Sequence, residues 1–142
     1  NYTITKKYPS SIEITINKAN ILANVFSRDN FFFLGSNGKL IETKSKRNGL
    51  LNIFGEFDKD SFFNLLKVFG KSKFDLSEIK NLYFFKSGRW DIETNSGILI
   101  KLPKKNLKYK LDLSFELLKQ NKLDNIKVLD LRQNNQVIIN GK

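Results

Sequence analysis

Ser87-Gly88-Arg89-Trp90-Asp91-Ile92-Glu93, continued by Gly97-Ile98-Leu99-Ile100-Lys101-Leu102-Pro103, opens the last third of the chain and sets its architecture. Both segments are rich in β-forming residues. Between them Asn95-Ser96-Gly97 supplies residues that tolerate positive φ, so the pair reads as a hairpin with strands over 89–94 and 98–102. Beyond it, Leu107, Leu111, Phe115 and Leu118 recur at helical spacing and predict an amphipathic helix over 107–121 whose apolar stripe lies on a sheet. Val128-Leu129-Asp130-Leu131-Arg132 and Val137-Ile138-Ile139 then predict strands over 126–131 and 136–140, joined at Gln133-Asn134-Asn135. The terminal strand holds neither proline nor charge within 136–140 and presents unpaired backbone groups unless something covers it. The C-terminal edge is therefore a candidate docking site.

Working back toward the N-terminus, Asp58 and Asp60 are candidate N-caps for a helix in which Phe62, Leu65, Leu66 and Phe69 share one face, with Gly70 expected to end or interrupt it. One helical turn is expected within 76–81, and Leu82-Tyr83-Phe84-Phe85 reads as a strand. Residues 19–26, Phe31-Phe32-Phe33-Leu34, Leu40-Ile41 and 51–54 are further extended segments. Arg28-Asp29-Asn30 and Gly35-Ser36-Asn37-Gly38 are the turns among them. Residues 42–48 carry Lys44, Lys46 and Arg47 without an apolar period and read as an exposed loop. Tyr2-Thr3-Ile4-Thr5 and Ile12-Glu13-Ile14-Thr15-Ile16 alternate as a hairpin about Tyr8-Pro9-Ser10-Ser11. No helix follows to cover that hairpin's apolar face, so it is expected to be the remnant of a module that begins upstream of Asn1.

A chain of 142 residues buries roughly 68% of its unfolded surface, enough for one core and a small appended element. The fold class expected is α+β, a mainly antiparallel sheet with two amphipathic helices packed on it. Cysteine and histidine are both absent, which removes thiol nucleophiles, disulfides, imidazole bases and the usual zinc ligands. No apolar run approaches the ~18 residues of a membrane-spanning helix. The net charge of +11 points to nucleic acid or an anionic membrane surface as one class of partner. Against it, only Arg28, Arg47, Arg89 and Arg132 supply the bidentate fork favoured in base readout; the other basic residues are lysines, which also suit a plain solvated surface.

Asp91 and Glu93 alternate on one strand and project from one face, the simplest paired-carboxylate arrangement for acid–base work or a hard cation. The competing reading is a solvated strand face with Lys101 as cross-strand partner. No third ligand or phosphate-binding glycine loop accompanies them, and no catalytic, metal or cofactor residue is assigned. Trp90 and Phe31 to Phe33 suit either base stacking or the core between sheet and helix. Asp130 and Arg132 share a strand face and can pair.

Four blocks, in order, give the chain a family resemblance. Tyr8-Pro9-Ser10-Ser11-Ile12-Glu13-Ile14, Phe33-Leu34-Gly35-Ser36-Asn37-Gly38-Lys39-Leu40, the Arg89-Trp90-Asp91-Ile92 hairpin ending Lys101-Leu102-Pro103, and Asp130-Leu131-Arg132 resemble the extracytoplasmic part of the bacterial cell-division family FtsQ/DivIB. The resemblance implies the last strands of a POTRA domain and a crossover over 1–25, then an FtsQ-type β domain over 26–142. It implies a non-enzymatic divisome component required for septum formation, anchored in the inner membrane by one upstream span with this region on the periplasmic side. Its partners would be division proteins of the FtsB and FtsL type, without cofactor or nucleic acid; a basic nucleic-acid-binding domain is the alternative. A partner segment adding beside the last strand would engage Arg132, Gln133, Asn135, Gln136, Val137, Ile138 and Ile139. Many members carry tyrosine where Gln133 stands and glycine where Gln136 stands, so the anchor shifts toward Ile138 and its neighbours.

Overall fold

The computed structural model describes residues 20–120, 126–133 and 136–141. The hairpin expected within 1–16 and the turn residues Asn134 and Asn135 lie outside them. The described chain forms one nine-stranded sheet with two helices on it. Its strands are β1 (Ile21–Ser27), β2 (Asn30–Gly35), β3 (Leu40–Thr43), β4 (Leu51–Phe54), β5 (Ile79–Phe84), β6 (Trp90–Thr94), β7 (Leu99–Lys101), β8 (Ile126–Asp130) and β9 (Ile138–Gly141). The helices are α1 (Lys59–Lys71), between β4 and β5, and α2 (Leu107–Gln120), between β7 and β8. A 3₁₀ turn at Leu76–Glu78 precedes β5.

The spatial order is β3-β2-β1-β4-β5-β6-β7-β8-β9. Five neighbouring pairs are antiparallel, whereas β1 with β4, β4 with β5 and β7 with β8 run parallel. The last two parallel pairs are the crossovers made by α1 and α2. A helix between two strands carries the chain back to the end of the sheet at which the first strand began, and parallel pairing follows.

Alternation divides the sheet into two chemistries. One face carries Ala23, Val25, Leu34, Ile53, Leu82, Trp90, Ile92, Ile100 and Leu129, all buried under the helices with Phe62, Leu65, Phe69 and Leu111. Trp90 is core: its ring packs among Phe57, Phe62 and Phe84, which settles its two readings in favour of structure. The opposite face carries a cross-strand polar ladder. Asn24 Nδ2 donates to Asn52 Oδ1 at 2.9 Å, Asn52 Nδ2 to Asn81 Oδ1 at 3.0 Å, and Asn81 Nδ2 to Glu93 Oε1 at 2.8 Å. Beside it Phe26, Phe54 and Tyr83 stack across β1, β4 and β5.

Local chemistry explains the ends of the elements. Asp58 caps α1 by accepting from the Ser61 N–H at 2.7 Å, and Asp60 sits in the first turn, where an anion suits the helix dipole. Gly70 does not end α1. Its φ stays outside the left-handed region, and the helix closes at Ser72, whose N–H and hydroxyl both donate to the Phe69 carbonyl. Gly55 is a stricter requirement: its φ is +103°, and a Cβ there would run into the Phe84 carbonyl. Gly55→Ala is expected to lower stability by more than about 1 kcal/mol in urea denaturation, because neither the backbone angle nor the neighbouring strand can yield.

Candidate functional site: the C-terminal edge

β9 ends the sheet. It pairs on one side with β8, Leu129 opposite Ile139 and Asp130 opposite Ile138, and among the described residues its other side carries no strand. The strand expected over 136–140 is observed two residues later at its start and one later at its end. Val137, Ile138 and Ile139 are all exposed, Ile138 at 40%. Since Leu129 lies on the helix face and Asp130 on the other, Ile139 belongs to the helix side and Ile138 to the opposite side. Gln133 and Gln136 are exposed beside the turn, and Asn135 falls outside the described residues.

Three separate sequence blocks line up in one row that ends at this edge. Asp91 pairs across strands with Lys101, Lys101 with Asp130, and Asp130 with Ile138, in one row over β6, β7, β8 and β9. Arg89 contacts Asp91 through its Nη1 and lies 4.5 Å from the centre of the Phe85 ring. Arg132 grips Asp130 with both arms of its guanidinium, Nε to Oδ1 at 2.8 Å and Nη2 to Oδ2 at 2.6 Å, while its backbone N–H also donates to Oδ1. The expected Asp130–Arg132 pair is therefore present and bidentate.

The solvated strand face expected for Asp91 is corrected. Asp91 is only 4% exposed, because Arg89 and its neighbours fold over it. Burial pushes the Asp91 carboxyl above the usual aspartate range, against the opposing pull of Arg89, Lys101 and Arg132. Asp130 moves the other way: the hydrogen bond from Arg132 holds it below its ordinary value despite some burial. Glu93 does not join Asp91. Its Oε1 accepts from Asn81 and from the Tyr83 hydroxyl, each at 2.8 Å. The two carboxylates thus serve different networks. Among the described residues there is no group of three or more Asp or Glu able to hold a metal ion.

Lys110 was missed by the sequence reading. It lies on the buried side of α2, 4% exposed, and its Nζ donates to the Gln133 carbonyl at 2.9 Å. The stripe expected from leucine and phenylalanine spacing passes over it, because a lysine is assigned to solvent by default. Its aliphatic stem fills the core side of α2 while its ammonium ties down the chain as it leaves β8. Lys110→Met, which keeps the stem and removes the donor, is expected to speed amide exchange in the 131–133 turn about fivefold, the equivalent of about 1 kcal/mol.

The family model for "Cell division protein FtsQ/DivIB, C-terminal" matches residues 23–132, most of the chain. The chain belongs to the FtsQ/DivIB family. In FtsQ/DivIB terms the matched region runs from β1 to Arg132, and β9 follows it. Among solved structures, the chain is similar to the major extracytoplasmic domain of the cell-division protein DivIB from Geobacillus stearothermophilus. The identity is 19%, with 74% of this chain and 98% of that one covered, and the TM-score is 0.48. No curated protein matches the chain. Membership makes this a cell-division protein, and the described residues contain no helix long and apolar enough to cross a membrane.

Proposed function

We propose that this chain is a non-enzymatic interaction module of the division complex, and that it binds an FtsB- or FtsL-like segment by strand addition along β9. The observation that carries the reading is the row Asp91–Lys101–Asp130–Ile138, which runs across β6, β7 and β8 and ends at the open edge on the exposed Ile138. An added strand there gains main-chain hydrogen bonds from β9, and apolar burial against Val137, Ile138 and Ile139. The paired Arg132 and Asp130 fix the end of β8 from which the edge departs.

In the same reading, residues 1–25 are the last strands of a POTRA domain with its crossover, and 26–142 form the β domain. β1 begins at Ile21 and its Ala23 and Val25 are core residues, so the sheet takes in the end of the proposed crossover. The full-length protein is anchored in the inner membrane by an upstream span and holds this region in the periplasm.

The test is a titration of the chain with the extracytoplasmic segment of an FtsB-like protein and, separately, with a single-stranded oligonucleotide, at ~50 and ~200 mM salt. Saturable binding of the protein segment that survives the higher salt supports the proposal. Binding of the oligonucleotide alone, falling ~10³-fold or more as counterions compete, assigns the surface charge to phosphate contacts and overturns it.

A further inference from the structure

The sheet has a second open edge, at β3. That strand pairs only with β2, and among the described residues no strand lies on its other side. Its Leu40 and Ile41 are 49% and 57% exposed, the two most exposed large aliphatic side chains among the described residues. Strand edges are commonly blunted by a proline, a bulge or an inward-pointing charge. β3 has regular register from Phe31 opposite Thr43 to Leu34 opposite Leu40 and holds no proline; its guards are its length of four residues and one exposed charge, Glu42, on the Phe32 side.

Both faces of this edge are prepared for side chains. On the helix face Leu40 adjoins Leu34, and together with Val25, Phe32 and Phe57 it walls a groove of about 360 Å³. One end of that groove is bounded by Arg28 and Glu56, ion-paired at 2.5 Å. On the opposite face Ile41 adjoins Phe33, whose ring carries the Arg47 guanidinium 5.3 Å from its centre. An incoming strand alternates its side chains and so reaches the groove with one set and Ile41 with the other.

Charge selects the partner. Lys39 precedes the strand, and Lys44, Lys46 and Arg47 follow it; all four are exposed, and none is ion-paired with another described residue. Glu42 is the single acid from Lys39 to Arg47. The β9 edge differs: there Arg132 is satisfied by Asp130. We propose that β3 is a docking edge for an extended acidic segment of another protein. That segment adds as a further strand, places an apolar side chain in the groove over Phe32 and Leu40, and sets its carboxylates against Lys39, Lys44 and Lys46. The proposal stands independently of the role given to β9.

The experiment is hydrogen exchange on this chain, with and without a synthetic peptide alternating valine or isoleucine with glutamate, and with a lysine-for-glutamate control. The acidic peptide should slow exchange across Leu40, Ile41, Glu42 and Thr43 and leave β9 unchanged. Ile41→Glu, at a position too exposed to disturb the core and on the face that the peptide's glutamates reach, should weaken peptide binding at least about tenfold, and so should the Lys44→Glu/Lys46→Glu pair. Ile138→Asp should leave it unaltered. Equal binding of the lysine peptide, protection at β9 instead of β3, or no protection at millimolar peptide overturns the proposal. So does capture of the same basic residues by vesicles of anionic phospholipid without β3 protection, or a concentration-dependent dimer lost in Ile41→Glu.

Discussion

Arg89→Gln is expected to lower the stability of the chain by about 3 kcal/mol at pH 7, and by progressively less as the pH falls toward 4. Glutamine preserves much of the packing on Phe85 and removes the guanidinium from Asp91, a carboxylate with only 5% of its side chain in contact with solvent. An anion left without its nearest partner in such a place retains the desolvation cost and loses most of the compensation. Lys101 across the strand and Arg132 nearby remain, which keeps the loss at the lower end of the range for a broken buried pair. The pH dependence has a definite sign. Burial already raises Asp91 in the native protein, and removing Arg89 raises it further, so the folded state holds the proton more tightly than the unfolded one. Stability then falls as pH rises from the unfolded aspartate value, about 3.9, to the raised folded value, and the deficit is complete above it. Asp130, depressed by Arg132, works the other way and contributes stability that is lost as pH falls through its folded value. It does so in the native protein and the variant alike and cancels from their difference. Urea denaturation of both proteins at several pH values gives that difference directly; a deficit independent of pH would show that Arg89 acts through packing on Phe85 rather than through charge.

The same cluster shows what a sequence yields and what it withholds. Both helices are legible because their apolar positions recur at 3.6 residues, and the β5–β6–β7 run because alternation and turn residues are local signals. Phe62, Leu65 and Phe69 are buried as their spacing predicts. The three parallel pairings are not legible: β5 beside β4 and β8 beside β7 depend on where a helix returns the chain, β4 beside β1 on where the chain returns after the β2–β3 hairpin, and no residue in those strands encodes it. The burial of Asp91 was missed for the same reason. Read along the chain, Asp91 is an acid on an alternating strand with a lysine partner, which describes an exposed face. Only the folding of Arg89 back over the strand and the arrival of β8 enclose it. Lys110 fails in a complementary way, since residue type sends it to solvent while the carbonyl that holds it lies 23 positions away. Residue type alone does not show that a charge is buried, whether its partner is two positions away, as Arg89 is from Asp91, or 23. The edge position of β9 was legible as chemistry, an uncharged apolar terminus; that β3 is the matching open edge at the far side of the sheet follows from strand order alone.

Ile138→Asp is expected to weaken binding of an FtsB-like segment about thirtyfold, or about 2 kcal/mol, without unfolding the chain. Ile138 stands on the edge strand at 40% exposure, outside the core under the helices, so charging it leaves no cavity. It is also the last member of the row that runs from Asp91, and an added strand would cover it on the face that Asp130 and Arg132 occupy. A carboxylate there has to be desolvated as the partner strand closes, beside a second carboxylate at Asp130. The aspartate also repels Asp130 across the strand pair, which costs the free hairpin a few tenths of a kcal/mol and complicates a single variant. Ile138→Lys separates the contributions, because lysine is attracted to Asp130 and still removes the apolar contact. Loss of affinity in both variants, with unchanged circular dichroism, assigns the effect to the apolar strand edge. Loss in the aspartate variant alone assigns it to the field of Asp130 and makes the partner's charge, rather than strand burial, the source of affinity. Native affinity in both would move the partner away from β9 altogether.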